Sequence, residues 1–290
     1  MSARTITMES QLRVCITAVA QLLCTMAALG AGGCFGANAP NGNDDAAYGT
    51  APDLGPLCAG NNDGVIARGE LSFPVGVSVN YLSNPSGTTA TVAPDGTKPG
   101  GVTQWDLTST AGDVHKLTLE ALAGKWFAGS FNGASYATTT DLASNTLGIF
   151  RVADEGLYIL GYASETPNQT LLVYDTPILS LKFPVTVGDS WVSTAHIVNG
   201  TLNGMPYAGL DTYKISIDAR GTAVLPFLSF DNTLRVHVDL SQTLPGGISI
   251  TRIQYLFFHE CFGELGRMVS VPNESNETFS NAGEFRRLAL

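Results

Sequence analysis

The sequence predicts an all-β protein: a single antiparallel β domain, built as a curved sheet, an open barrel or a sandwich. Three observations predict it. Apolar and polar residues alternate with a period of two along many short runs. Turn-forming clusters separate those runs at fairly regular intervals. Charged residues are only 14% of the chain, which holds 32 Gly, a mix that suits many turns between strands.

The first run is Leu71, Phe73, Val75, Val77, Val79 and Tyr81, alternating as a half-buried strand does. Similar runs follow at Val114–Ala121, Lys125–Phe131, Leu147–Val152, Leu157–Tyr162, Gln169–Tyr174 and Trp191–Val198. They continue at Tyr207–Asp218, Thr233–Ser241, Ile248–Phe258 and Leu265–Val271. Pro94-Asp95-Gly96, Asn132-Gly133, Asp154-Glu155-Gly156, Asn203-Gly204 and Pro245-Gly246-Gly247 mark turns between them. Helix is a weak prospect everywhere; Thr138 to Asn145 has room for one or two turns. Residues 71–272 are long enough to bury one sizeable core, and no internal repeat points to a propeller or solenoid. Residues 273–290 read as a polar tail, loose or adding a last edge strand.

The amino terminus is organised differently. Arg4 and Arg13 precede an uncharged stretch from Val14 to Leu29 that ends in Gly30-Ala31-Gly32-Gly33-Cys34. A basic head, a short apolar core and small residues make 1–33 an export signal rather than a membrane span. The cysteine after the small residues resembles the lipobox of bacterial lipoproteins, although Ala31 stands where the pattern prefers Leu. The resemblance implies that Cys34 is acylated (diacylglycerol and palmitate) and becomes the first residue of an outer-membrane lipoprotein. Each buried methylene of the lipid contributes about 0.8 kcal/mol to the anchoring. The alternative is an ordinary cysteine after general signal cleavage, with the protein secreted. Residues 34–57, rich in Gly, Ala, Asn, Asp and Pro without apolar periodicity, read as a flexible linker.

Removing residues 1–33 takes out Arg4, Glu9 and Arg13 and leaves 13 basic against 24 acidic residues. Such an acidic chain argues against nucleic acid as a partner. Attachment to the membrane would come through lipidated Cys34. Three cysteines remain: Cys34, Cys58 and Cys261. With Cys34 lipidated, Cys58 and Cys261 are the pair left for a disulfide in an oxidising compartment, worth about 4–5 kcal/mol in the chain-entropy model; two separate thiols are the alternative.

Residues 58–70 carry the one motif with chemistry in it. From Ala59 to Glu70 the chain is similar to the twelve-residue calcium loop of EF-hands. Asn61, Asp63, Val65 (through its carbonyl) and Glu70 stand at ligand positions, with Gly64 at the turn and Ile66 as apolar anchor. Ala59 replaces the usual first Asp, so the resemblance implies weak calcium binding at most. The other reading is an Asn-Asp-Gly turn entering the first strand. No further cofactor is expected.

The second half carries a second resemblance. Leu181-Lys182-Phe183-Pro184-Val185-Thr186-Val187-Gly188-Asp189-Ser190-Trp191 is followed by Ala219-Arg220-Gly221-Thr222, Pro226 and Phe230-Asp231-Asn232-Thr233-Leu234-Arg235-Val236. Tyr255-Leu256-Phe257 and Gly266-Arg267-Met268 close the series. This order is similar to a group of exported bacterial β-domains of unknown function, remotely like lipoprotein-carrier and lipoprotein-cradle folds. The resemblance implies a curved sheet around an apolar ligand and no catalytic residues. Arg235, His237 and Asp239 share one strand face, which reads as solvated or salt-bridged.

Catalytic signatures are scarce. His115, His196, His237 and His259 are scattered, and no nucleophile elbow, phosphate loop or zinc spacing occurs. Trp105, Trp126, Phe127, Phe131, Trp191, Phe257 and Phe258 read as core rather than as a ligand surface. The sequence therefore predicts a non-enzymatic envelope lipoprotein, a structural or interaction module whose partner is another envelope protein or an apolar ligand. A lipid carrier with a curved-sheet cavity is the alternative. A secreted hydrolase whose carboxylates lie far apart in sequence is the second.

Overall fold

The computed structural model describes residues 58, 60–140, 142 and 146–289. Residues 1–57, including Cys34, and Ala59 lie outside the described residues. Fourteen strands run in chain order: β1 Ser78–Ser83, β2 Ala90–Thr91, β3 Gln104–Asp106, β4 Asp113–Thr118, β5 Tyr136–Thr139, β6 Thr146–Ala153 and β7 Gly156–Ser164. Then come β8 Leu171–Lys182, β9 Ser190–Leu202, β10 Met205–Val224, β11 Ser229–Thr243, β12 Ser249–His259, β13 Gly263–Ser270 and β14 Asn281–Ala289. All belong to one sheet. Its main path is β4-β1-β14-β13-β12-β11-β10-β9-β8-β7-β6-β5, an antiparallel meander from β5 to β14 completed by β1 and β4.

The ends of that path meet. Just beyond β4, Glu120 N–H donates to the Ala137 carbonyl at 2.8 Å, and Ala137 N–H donates back at 2.9 Å. Twelve strands thereby nearly close into a barrel. At β8 and β9 the backbone ladder is interrupted, and side chains bridge the gap. His196 N–H donates to Asp175 Oδ1 at 2.8 Å, Leu179 N–H to Ser193 Oγ at 3.0 Å, and Trp191 Nε1–H to the Leu179 carbonyl at 2.8 Å.

Three apolar clusters divide the side chains. The inner one lies on the concave face and gathers Leu157 and Ile159, Ile178 and Leu181, Ala195 and Ile197, Ile215 and Ile217, and Leu234 to Leu240 from β7 to β11. The second lies on the outer face of β10–β14, where residues 92–107 and 271–280 fold back over Ile253, Tyr255, Phe257, Met268 and Phe285. In the third, Phe127 and Phe131 cover Leu147, Ile149 and Leu160 on the outer face of β6 and β7. Gly221 permits the closest of these approaches, because a Cβ there would collide with the Thr103 carbonyl.

Several expectations change in the tertiary setting. Lys125–Phe131 is not a strand: it turns through the short 3-10 helix Ala128–Ser130, drawn over the barrel by Trp126, whose indole donates to the Ser164 carbonyl at 2.9 Å. The run from Leu71 becomes a strand only at Ser78, because Leu71 is spent on the inner core. Helix does not form where Thr138 and Thr139 end β5. The polar tail corrects most: Asn281–Ala289 is an interior strand between β13 and β1, with Phe285, Arg286 and Arg287 buried. Arg287 Nε donates to the Ser109 carbonyl at 2.9 Å and Nη1 to the Phe285 carbonyl at 2.8 Å, while Arg286 Nη2 donates to the Thr140 carbonyl at 2.8 Å.

Candidate functional site

Which residues face the barrel interior follows from register. Tyr81 pairs with His115, and Val79 with Leu117. The Leu119 N–H donates to the Val77 carbonyl at 3.2 Å, extending the ladder. Alternation puts Val77, Val79 and Tyr81 on one face. That face is the inner one, because Leu119 packs on the inner cluster and the Tyr81 hydroxyl donates to the Glu264 carbonyl at 2.7 Å. By the same logic Arg267 and Arg286, direct cross-strand partners on β13 and β14, point inward.

The two halves of this interior differ. Over β7–β11 the wall is covered. The segment from Cys58 to Phe73 crosses the end of the barrel, buries Ile66 and Leu71 in the inner cluster, and pairs Ile66 with Val185 at 2.9 Å. Phe73 stacks on Tyr136, which stacks on Phe150, at centroid distances of 5.8 and 5.2 Å. Over β12, β13, β14, β1 and β4 the inner wall is only partly covered: Val77 is 49% and Val79 39% exposed, beside Val75 at 48%. A twelve-stranded barrel is wider than the eight-stranded kind that side chains can fill. One segment therefore covers one side of it.

The floor of the uncovered side is charged and internally balanced. Glu264 accepts from Arg267 Nε at 2.6 Å and Nη2 at 2.5 Å, a two-pronged pair with side-chain exposures of 16% and 18%. Arg286 Nη2 pairs with Glu284 at 2.7 Å and reaches the Thr140 carbonyl at 2.8 Å. Burial pushes the Glu264 carboxyl up. The Arg267 charge and its two hydrogen bonds outweigh that, together with Arg286, and hold it below the ordinary range.

Opposite this floor stands a buried cluster. The Tyr162 and Tyr213 hydroxyls share a hydrogen bond of 3.0 Å, Tyr174 donates to Asp211 Oδ2 at 2.5 Å, and Gln242 donates to the same oxygen at 3.4 Å. Burial raises the Asp211 pKa despite the two donors, and Oδ1 has no hydrogen-bond partner among the described residues. A raised carboxyl pKa gives stability that is fully present below the unfolded value and lost as pH rises through the folded one. Asp211→Asn is therefore expected to stabilise the domain by about 1 kcal/mol at pH 7, with little change at pH 3. Thermal melts at the two pH values check it.

The residues singled out in the sequence have these places. Cys58 and Cys261 form a disulfide, with Cα atoms 5.3 Å apart, pinning the covering segment to the hairpin between β12 and β13. Asn61, Asp63, Val65 and Glu70 lie in that segment, where the side-chain oxygens of Asp63 and Glu70 accept from the chain's own donors. Asp63 Oδ1 accepts from Val65 N–H at 2.7 Å, Asp63 Oδ2 from Asn61 Nδ2 at 3.0 Å, and Glu70 Oε2 from Ala67 N–H at 2.7 Å. This is turn chemistry, each oxygen capping a backbone or amide donor. Asp63→Ala is expected to cost about 1 kcal/mol by loosening the turn. Melts with and without millimolar calcium would separate that loss from any ion effect.

Arg235 is neither solvated nor paired with Asp239. It forks onto Asp218, with two bonds of 2.8 Å, and donates to the Pro94 carbonyl at 2.6 Å, over the Tyr255 ring at 4.7 Å. His237 lies between Asp218 and Asp239 and stacks on Tyr255. The group clamps residues 92–107 to the outer face. Trp105, Phe127, Phe131 and Phe257 are buried, whereas Trp126, Trp191 and Phe258 are partly buried against clusters. Sequence reasoning missed Glu264, Arg267, Glu284 and Arg286 as lumen residues. The signal was faint: a few charges in runs otherwise rich in apolar residues, with Glu264 and Arg267 brought to one face only by a bulge in β13.

Two open depressions occur among the described residues. One of about 380 Å³ is lined by Glu155, Lys182, Phe183 and Asp189, and one of about 400 Å³ by Ser190, Val192, Lys214 and Asp239. No described helix is long and apolar enough to cross a membrane. The outward residues of β9 and β10 include Val192, Thr194, His196, Val198, Thr212, Lys214 and Ser216, a face of mixed polarity. The fold and this interior define a β-barrel with a half-covered lumen. Comparison with family models, curated proteins and solved structures finds no match to the chain.

Proposed function

We propose that this chain is a non-enzymatic cell-envelope lipoprotein, anchored through Cys34, whose barrel acts as a binding and interaction module. The observation that carries the reading is the division of the interior. One half is sealed by the chain's own Cys58–Phe73 segment, and the other leaves a concave wall uncovered. Its carboxylates and guanidinium groups are engaged with one another, Glu264 with Arg267 and Glu284 with Arg286. Anchoring is checked by labelled palmitate in a Gram-negative host: the full chain should take up label and fractionate with the outer membrane. Cys34→Ser should abolish labelling. Uptake by the serine variant, or none by the parent, would remove the anchor from this reading.

The carrier reading gains from one observation. Val75, Val77 and Val79 are exposed where a soluble barrel normally hides its apolar residues, with two of them on the inner wall. Native mass spectra of protein purified from the envelope test it, since a stably held ligand adds a discrete mass lost on denaturation.

A further inference from the structure

We infer that the uncovered lumen wall binds an amphiphile with a neutral, hydroxyl- or amide-bearing head, its apolar body lying against Val77, Val79 and Leu117. This inference rests on the carrier reading and specifies its ligand.

Three features carry it. The first is the gradient along the wall. Next to the covered end, the inward residues of β1 and β4 are Val77, Val79, Leu117 and Leu119, an apolar strip open enough to leave two valines more than a third exposed. Along β1 the next inward residue is Tyr81, whose hydroxyl and ring adjoin Glu264 and Arg286. Strip and polar floor are therefore contiguous, as a molecule with a body and a head requires.

The second feature is charge. Beside His115, which pairs with Tyr81, the floor holds two guanidinium groups and two carboxylates, already paired at 2.5–2.7 Å. An ionic head would bring an uncompensated charge into a partly dehydrated pocket, or would have to break one of these pairs. A neutral head meets neither penalty.

The third feature is the remaining hydrogen-bonding capacity. Arg267 engages Glu264 through Nε and Nη2, which leaves Nη1 outside that pairing. Glu284, with 21% of its side chain exposed, lies 2.7 Å from Arg286 Nη2 through Oε1, which has no hydrogen-bond partner among the described residues. A donor and an acceptor on paired strands of one face suit a hydroxyl or amide, which offers both in return. Arg286 Nε and Thr138 Oγ1 are buried without hydrogen-bond partners among the described residues.

The test uses the full chain carrying Cys34→Ser, which removes its own acyl groups as competitors. Binding of 1-monodecanoylglycerol, decanoate and decyltrimethylammonium is compared by calorimetry below their micelle concentrations. These probes share a body length and differ in the charge of the head. The neutral probe should bind one per chain, about tenfold or more tighter than either ion. Val77→Glu with Val79→Glu should weaken it by about tenfold or more, because both sites are exposed in the folded chain and charge there opposes an apolar body. Val192→Glu, on the outer face, should leave it unchanged, and circular dichroism should show all variants folded. Equal or tighter binding of an ionic probe would overturn the neutral-head inference and leave the carrier reading standing. Unaltered neutral binding in the double variant would overturn the placement on this wall. Failure of all three probes would remove both the inference and the carrier reading.

Discussion

Replacing Cys58 and Cys261 together by serine is expected to destabilise the domain by about 3–5 kcal/mol, lowering the melting temperature by roughly 10 °C for a domain of this size. The bridge spans 203 positions of the 290-residue chain, so its loss frees a very long loop in the unfolded state. In the folded state the covering segment keeps other holds. Ile66 stays paired with Val185, and Asn62 N–H still donates to Glu260 at 2.7 Å. The variant should therefore fold, with its first losses of hydrogen-exchange protection confined to residues 60–73. Uniform loss of protection would show that the segment has no independent opening. Melts with and without reductant on the parent chain provide the same comparison without mutation.

The second large effect concerns Glu264. Replacing it by Gln leaves the Arg267 guanidinium deep in the barrel without its counter-charge, and breaking a buried pair in this way costs about 3–5 kcal/mol. The pH dependence has a definite sign. The carboxyl is held below its ordinary value, so its stabilisation is present above the unfolded pKa, about 4.3. It is lost as pH falls through the folded one. The parent should lose stability steeply below about pH 4, and Glu264→Gln should lose this part of the slope. Asp211 acts in the opposite direction over the acid range, so the two variants should change the pH profile with opposite signs. A profile unchanged in Glu264→Gln would mean that the pair is solvated and contributes little.

Much of the fold was legible. Thr233–Ser241 reads as a strand with Leu234, Val236 and Val238 on one face, and they are buried together in the inner cluster. The same alternation could not say that the opposite face is also covered. Arg235, His237 and Asp239 read as solvated or salt-bridged in sequence; Arg235 is ion-paired, but to Asp218 on the neighbouring strand, and is 9% exposed beneath residues 92–107. Strand β12 shows the limit most sharply. Ile253, Tyr255 and Phe257 are apolar on one side, Leu256 and Phe258 on the other, so periodicity alone cannot say which side faces the lumen. Residues 281–289 misled because a strand containing Glu284, Arg286 and Arg287 resembles a solvated terminus until its ion-pair partners are known.

The sequence by itself determined that the chain is all-β and where most strands and turns fall. Those properties are local, set by side-chain alternation and turn chemistry. The tertiary structure alone decided that the sheet nearly closes, that residues 58–73 cover half of its interior, and that Glu264, Arg267, Glu284 and Arg286 line the other half. Closure depends on hydrogen bonds such as that between Glu120 and Ala137, and burial of a charge depends on a partner many residues away. Neither leaves a periodic trace in the chain, because both are properties of pairs brought together only when the strands are registered.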